Sequence, residues 1–240
     1  MRGEVSGVRR KNNIKVENSA DLLRLTPHAS RLTGWVAAAL LLAASAAQAE
    51  RYRVDLILYA DKTGAGEERP LAAQAPYFPR TLELSDSAKL RTAGIELLPD
   101  ENFGLMSQWK RLSNSQRQQP LLRLAWIQKD PPAERGMGLR LRSGSPLTLT
   151  TDSGNGGTRS DEIYPVDGSV TLLLGRFLHL DADLVSTQAT GSGELGSYRL
   201  RERRRLRRDE LHHLDSPRLG LLVRVQKADK IEKEAKGAKR

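Results

Sequence analysis

From Tyr198 to Arg207 the chain reads YRLRERRRLR, and at a strand's two-residue period Arg199, Arg201, Arg203, Arg205 and Arg207 fall on one face. Five guanidinium groups on one face repel one another, so that face must meet water or an anion. The opposite face, with Tyr198, Leu200 and Leu206, must meet a core. A second alternation precedes it. Val170, Leu172, Leu174, Leu178, Leu180, Ala182 and Leu184 share one face of a long strand expected over Ser169–Val185. A slip of one residue would turn either apolar set to water, so the two sets belong to one face of one sheet. His179, Asp181 and Asp183 then lie beside the arginines, and two aspartates offset only part of five positive charges. Arg176, Glu202 and Arg204 interrupt the apolar face, which places a bulge or the sheet edge there.

The other elements follow from the same patterning. Arg51–Tyr59 alternates as a first strand with Tyr52, Val54, Leu56 and Leu58 inward. Leu121–Gln128 is a strand opened by Pro120 and ended by Pro131 and Pro132, and Leu219–Val225 is the last. Within Asn102–Ser113, Leu105, Met106, Trp109 and Leu112 form a helical stripe. Leu139–Arg142 and Leu147–Thr150 read as a small hairpin around Gly144, Ser145 and Pro146, with a flexible tip at 153–157. Trp109 and Trp126 stand at inward positions and read as core. The expected fold class is α+β: one domain, an antiparallel-rich sheet of the five strands Arg51–Tyr59, Leu121–Gln128, Ser169–Val185, Tyr198–Arg208 and Leu219–Val225, and one or two helices packed on it.

The first fifty residues decide which anions are available. Trp35–Ala46 is almost wholly small or aliphatic, with Arg31 before it and Ala47-Gln48-Ala49 after it, the order of a secretory signal peptide cut after Ala49. The run falls short of the roughly 20 apolar residues that span a bilayer, so no stable membrane span is expected after processing. The sequence has no cysteine, which excludes disulfides, thiolate ligands and thiol nucleophiles. Export to the periplasm removes nucleic acid from the possible partners. The expected organisation is a leader and signal peptide over 1–49, a domain over 50–226 and a charged flexible tail over 227–240. From Arg199 to Arg240 there are 15 basic and 7 acidic residues, so the positive field belongs to the C-terminal quarter.

Catalytic chemistry finds little support. His179-Leu180-Asp181 and His213-Leu214-Asp215, with His212 adjacent, place His and Asp two apart, a spacing that suits a metal clamp on strands. Neighbouring arginines oppose a divalent cation there. His179 and His212 are better read as hydrogen-bonding the adjacent aspartates or orienting the turn at 211–217. No Gly-x-Ser-x-Gly elbow is present, and Gly136-x-Gly138 and Gly154-x-x-Gly157 read as loop glycines. No enzyme activity, metal or cofactor is expected; a metal-dependent hydrolase built on the two His-Leu-Asp pairs is the least favoured alternative.

The paired segments Gly168-x-Val170…Arg176-Phe177-Leu178-His179-Leu180-Asp181 and Tyr198-x-Leu200…Arg204-Arg205…Glu210-Leu211-His212…Leu214-Asp215-x-Pro217…Gly220-Leu221-Leu222-Val223 resemble the CsiV family of periplasmic peptidoglycan-binding proteins. The Tyr52-x-Val54 strand, the Trp109 helix and Leu124-Ala125-Trp126-x-Gln128 stand in that family's order, so the resemblance runs from about Arg51 to Val225. Phe177, His213 and Ser216 depart from its pattern. The resemblance implies peptidoglycan binding and support of a class A penicillin-binding protein through its outer-membrane lipoprotein activator. Wall stem peptides carry carboxylates that arginine forks match bidentately, and aromatic faces pack on sugar rings. Arginines on alternate residues are spaced by about 6.6 Å, which suits a multivalent polymer contact. The expected ligand contacts are therefore Arg203, Arg205 and Arg207, with Arg199 and Arg201 supporting, and His179, Asp181, Asp183, His212 and Asp215 as further supports. The alternative is a periplasmic adaptor whose basic strand docks an acidic protein.

Overall fold

Tyr52, Val54, Leu56 and Leu58 on one side of β1 (Arg51–Asp61), and Ile57 and Tyr59 on the other, are all almost inaccessible. A strand covered on both sides lies in the middle of a layered fold. The computed structural model describes residues 50–63, 69–154, 156–191 and 193–229, and it shows those layers. β1 is the central strand of a five-stranded antiparallel sheet. Its neighbours on one side are β13 (Leu219–Lys227) and then β12 (Leu211–Asp215); on the other they are β5 (Gln118–Lys129) and then β4 (Ile95–Leu97). A second sheet has six strands in the order β2 (Leu71–Ala72), β11 (Leu195–Leu206), β10 (Leu178–Ala189), β9 (Val166–Leu174), β6 (Gly138–Ser143) and β3 (Thr81–Leu82). Among the described residues only the β3–β6 pairing is parallel. β7 (Leu147–Asp152) and β8 (Thr158–Ile163) form a separate hairpin.

The main core lies between the two sheets. Leu56, Trp126 and Val223 of the first join Leu141, Leu172, Leu180, Leu184 and Leu200 of the second in one buried cluster. Each fully buried leucine contributes about 1.5–3 kcal/mol. A smaller cluster covers the far side of the first sheet, where Leu105 and Leu112 of the α2 segment (α2, Met106–Ser113), with Phe103 and half-buried Trp109, pack on Ile57, Tyr59 and Ala125. The shorter α1 (Ser87–Thr92) begins with its backbone capped by the Asp86 carboxylate and buries Leu90. Asp55 is fully buried beneath this layer. It accepts from the Gly104 N–H at 2.7 Å and from Arg53 Nη2 at 2.9 Å, which fastens the loop before α2 to β1.

The single sheet expected from sequence is thus two sheets face to face, and the fold is mostly β with two short helices, antiparallel-rich as expected. The strand expected over Ser169–Val185 is also two. The chain turns at Gly175, Arg176 and Phe177, and Leu174 faces Leu178. A three-residue turn restores the same parity, so the alternation runs through a hairpin without a break. β9 and β10 cross closely at Gly168, where a Cβ would collide with the Asp183 carbonyl and Leu184 Cα. The hairpin expected around Gly144 does not form. β6 pairs with β3 and β9, whereas β7 pairs with β8, and Gly144 turns the chain between sheets at φ 90°. Beyond Asp152 and Thr158, the Ser153 N–H donates to the Gly157 carbonyl at 2.8 Å and continues that β7–β8 hairpin. β10 and β11 pair without a register shift, so the charges at Glu202 and Arg204 mark a sheet edge, not a bulge: beyond Ser197 no strand among the described residues covers the outer side of β11. The leader and cleavage site expected over 1–49, and the last eleven residues, lie outside the described residues. Among the described residues no helix is long and apolar enough to cross a membrane.

Candidate functional site

The side of the second sheet that faces away from the core carries the arginines. Across β10 and β11, Arg205 pairs with His179, Arg203 with Asp181, Arg201 with Asp183 and Arg199 with Val185. The alternation therefore places four of the five arginines as expected, while Arg207 lies beyond the end of β11, in the turn to β12. Asp181 accepts from Arg203 directly opposite, at 2.5 and 3.2 Å. Asp183 takes the diagonal partner: Arg199 donates to both of its oxygens, at 2.7 and 2.6 Å. That bond raises the Arg199 guanidinium pKa further. Arg201 reaches Asp183 only at 3.7 Å and is 73% exposed. On the inward side of the same edge, Arg204 pairs with Glu202 at 2.7 Å.

Two strands further on, the same face is covered. Arg140 of β6 donates two bonds of 2.5 Å to Asp167 of β9, and both side chains are less than a tenth exposed. The Phe78 ring lies 4.5 Å from the Arg140 guanidinium carbon and roofs the pair. Arg142 reaches Glu83 at 3.0 Å and lies over the Tyr164 ring. The loop that brings Phe78 leaves a cleft of about 480 Å³ against β10 and β11, bordered by Val185, Ser197 and Arg199. Tyr77, 84% exposed, stands on its rim. Sequence patterning gave no indication of Tyr77, Phe78 or the Arg140–Asp167 pair, because that loop has no period and the two partners are joined only by sheet pairing.

The expected supporting residues divide between the sheets. His179 lies beside Arg205, but its Nδ1 is 3.0 Å from the Phe177 carbonyl rather than bonded to Asp181. His212 Nε2 accepts from the Arg207 N–H at 2.9 Å and so holds the β11–β12 turn, not the turn expected over 211–217, most of which is strand β12. His213 stacks on Tyr59 and shares a short hydrogen bond with its hydroxyl. The Tyr59 phenol is pushed up to about 12, chiefly by burial. Asp215 is exposed on β12, 4.0 Å from His213 Nδ1. The two His-Leu-Asp pairs thus sit on different sheets, which removes the geometry of a shared metal clamp, and among the described residues no three His, Asp or Glu groups cluster as metal ligands do. Ser216, where the sequence departs from the family pattern, closes the β12–β13 turn by bonding the Leu219 carbonyl and N–H.

An open arginine row beside an exposed tyrosine can bind carboxylates by forks and a sugar ring by stacking. The family model described as "Peptidoglycan-binding protein, CsiV" matches residues 32–228, and the chain belongs to that family. No curated protein and no solved structure matches the chain.

Proposed function

We propose that this CsiV-family protein is a non-catalytic periplasmic module that holds peptidoglycan on the open half of its second sheet. In this reading a leader and signal peptide over 1–49 are removed, and the domain from 50 onward supports a class A penicillin-binding protein through its outer-membrane lipoprotein activator. The observation that carries the binding site is the unequal charge of the uncovered face: Arg199, Arg201, Arg203 and Arg205 against Asp181 and Asp183. Arg205 has no carboxylate partner among the described residues, Arg201 has only a distant one, and Arg203 and Arg199 can trade an aspartate oxygen for a ligand carboxylate. Tyr77 supplies a ring on which a glycan can pack within reach of the same cleft.

The test is retention of the purified mature protein on isolated sacculi. Arg199→Ser, Arg201→Ser and Arg203→Ser combined should abolish most retention, and Tyr77→Ala should weaken it. Retention should also fall as salt rises, because exposed charges are screened within about 10 Å at 0.1 M. Undiminished binding by the triple variant rejects this site. If the protein instead co-purifies, salt-sensitively, with a lipoprotein from cells lacking intact sacculi and shows no wall affinity, the adaptor reading replaces it.

A further inference from the structure

The ladder's last members converge at the end of the row. At the end of the second sheet, the β9–β10 turn and the β11–β12 turn enclose a polar cleft of about 790 Å³. Four guanidinium groups line it: Arg176 from the first turn, Arg205 from β11, and Arg207 and Arg208 from the second turn. Arg205 sits 3.4 Å from the centre of the Phe177 ring and Arg176 sits 5.4 Å from it, so one aromatic ring carries two cations. Neither has a carboxylate partner among the described residues. Arg207 approaches only exposed Glu210, at 3.7 Å. Acidic groups are fewer: Glu50 and Asp209 also line the cleft, and both are engaged. Glu50 accepts from Tyr52 at 2.6 Å and from Lys227 at 3.1 Å, while Asp209 accepts from Gln226 at 3.0 Å. Arg208 lies near the Tyr52 phenol and Glu50 on the cleft wall.

We propose that this cleft is a second binding site, at the end of the open row and sharing Arg205 with it, for a ligand that presents two or more neighbouring carboxylates. Two like charges on one ring repel each other, and an anion that bridges them relieves the repulsion. A planar fork engages a carboxylate through two parallel N–H bonds, and four forks around one cavity suit adjacent carboxylates on a short peptide. The hydrocarbon face of Phe177 offers no competing hydroxyl and keeps the two guanidinium planes in place. The choice of peptide carboxylates over phosphates rests on the wall-binding reading, since a stem peptide carries them on neighbouring D-glutamate and diaminopimelate residues. The cleft then takes a peptide while the open row follows the polymer.

Calorimetric titration of the mature protein with free L-Ala-γ-D-Glu-diaminopimelate tripeptide tests the site, with inorganic pyrophosphate as the competing oxyanion. One tripeptide should bind per chain. Arg176→Ser with Arg208→Ser should weaken it at least about tenfold, whereas Arg199→Ser with Arg201→Ser should leave it within about twofold. Both cleft residues are exposed, and unchanged urea midpoints confirm that the variants fold; Arg176→Glu, in a surface turn, gives an independent second variant with a larger loss. Tripeptide affinity unchanged by either cleft variant overturns the proposal, as does pyrophosphate binding more tightly than the tripeptide. Sacculus retention by the same proteins separates the two readings. Tripeptide binding that fails while sacculi are still retained sinks the cleft alone, and sacculi that fail while the tripeptide binds sink the open row alone.

Discussion

Two ion pairs on one face of one sheet behave as different objects. Arg140 and Asp167 are bonded through both oxygens, with side chains 8% and 6% exposed. Arg199 and Asp183 make the same bidentate contact at similar lengths, with side chains 47% and 23% exposed. Strand pattern does not distinguish them, since each partner simply alternates with core residues. The difference is the roof. The loop that carries Phe78 roofs the Arg140–Asp167 pair, whereas at β10 and β11 it only borders an open cleft beside Val185, Ser197 and Arg199. Coverage turns the first pair into a structural element whose partners cannot separate cheaply. Its absence leaves the second pair able to exchange with a ligand. The outer face therefore has a closed half that holds the loop and an open half that holds the proposed wall contacts.

The sharpest way to break this comparison is to remove Asp167. Asp167→Ala leaves the Arg140 guanidinium buried without a counter-charge, and unfolding free energy from urea titration should fall by about 3–5 kcal/mol. A loss below 1 kcal/mol would mean that water reaches the pair and that the two halves are not distinct. Removing the roof tests the same point more gently. Phe78→Ala takes away the ring over Arg140 and lets water in, with an expected loss of about 1–2 kcal/mol. The Asp167→Ala penalty should then shrink in the Phe78→Ala background, because the orphaned guanidinium can be hydrated.

The sequence shows why this division was hard to read. Face assignment was legible, because alternation is a local property: Leu178, Leu180, Leu184 and Leu200 are buried, and their neighbours Asp181, Asp183 and Arg201 stand on the other side. The helical stripe of Leu105, Trp109 and Leu112 was equally local and is found on the far side of β1. Sheet membership was not legible, since nothing in β1 or β10 states which strand pairs with which, and the five expected strands distribute over two sheets. Parity hid the turn at Gly175, and it hid with it the cleft that Arg176 and Phe177 build. Coverage is set by a loop without period, so Phe78 and Tyr77 carried no signal. The buried Asp55 looked like any polar strand residue until the loop before α2 was placed over it.

Coverage also governs ionisation, which gives a pH test. The Tyr52 phenol is pushed up to about 12, first by burial and then by its bond to Glu50, from an ordinary value of 10.0. Glu50 is held below the usual carboxylate range by that hydroxyl and by Lys227. For Tyr52 the folded state favours the protonated form, so the stabilisation is fully present below pH 10 and is lost as pH rises towards 12. Tyr59 shifts in the same direction by burial and adds to the loss. Urea midpoints measured from pH 9 upward should therefore decline most between pH 10 and pH 12, in step with tyrosinate absorbance. Tyr52→Phe should flatten the decline, leaving the share due to Tyr59. A midpoint that stays constant to pH 12 would show that the phenol is solvated and that the end of the first sheet is open.

The smallest stability effect carries the most functional weight. Asp183→Ala removes the bidentate partner of Arg199 and the distant partner of Arg201, yet water replaces it at once on the open half. Unfolding free energy should change by no more than about 1 kcal/mol, the range for exposed pairs. The same substitution leaves two guanidinium forks unpaired on the row, so an anionic polymer no longer has to displace a carboxylate to reach them. Sacculus retention should strengthen and persist to higher salt than for the parent protein. A variant that loses 3 kcal/mol instead would place the open pair in the same class as Arg140–Asp167, and the row would then be a structural edge. If stability is preserved but retention does not rise, the forks at Arg199 and Arg201 are not the groups that meet the wall.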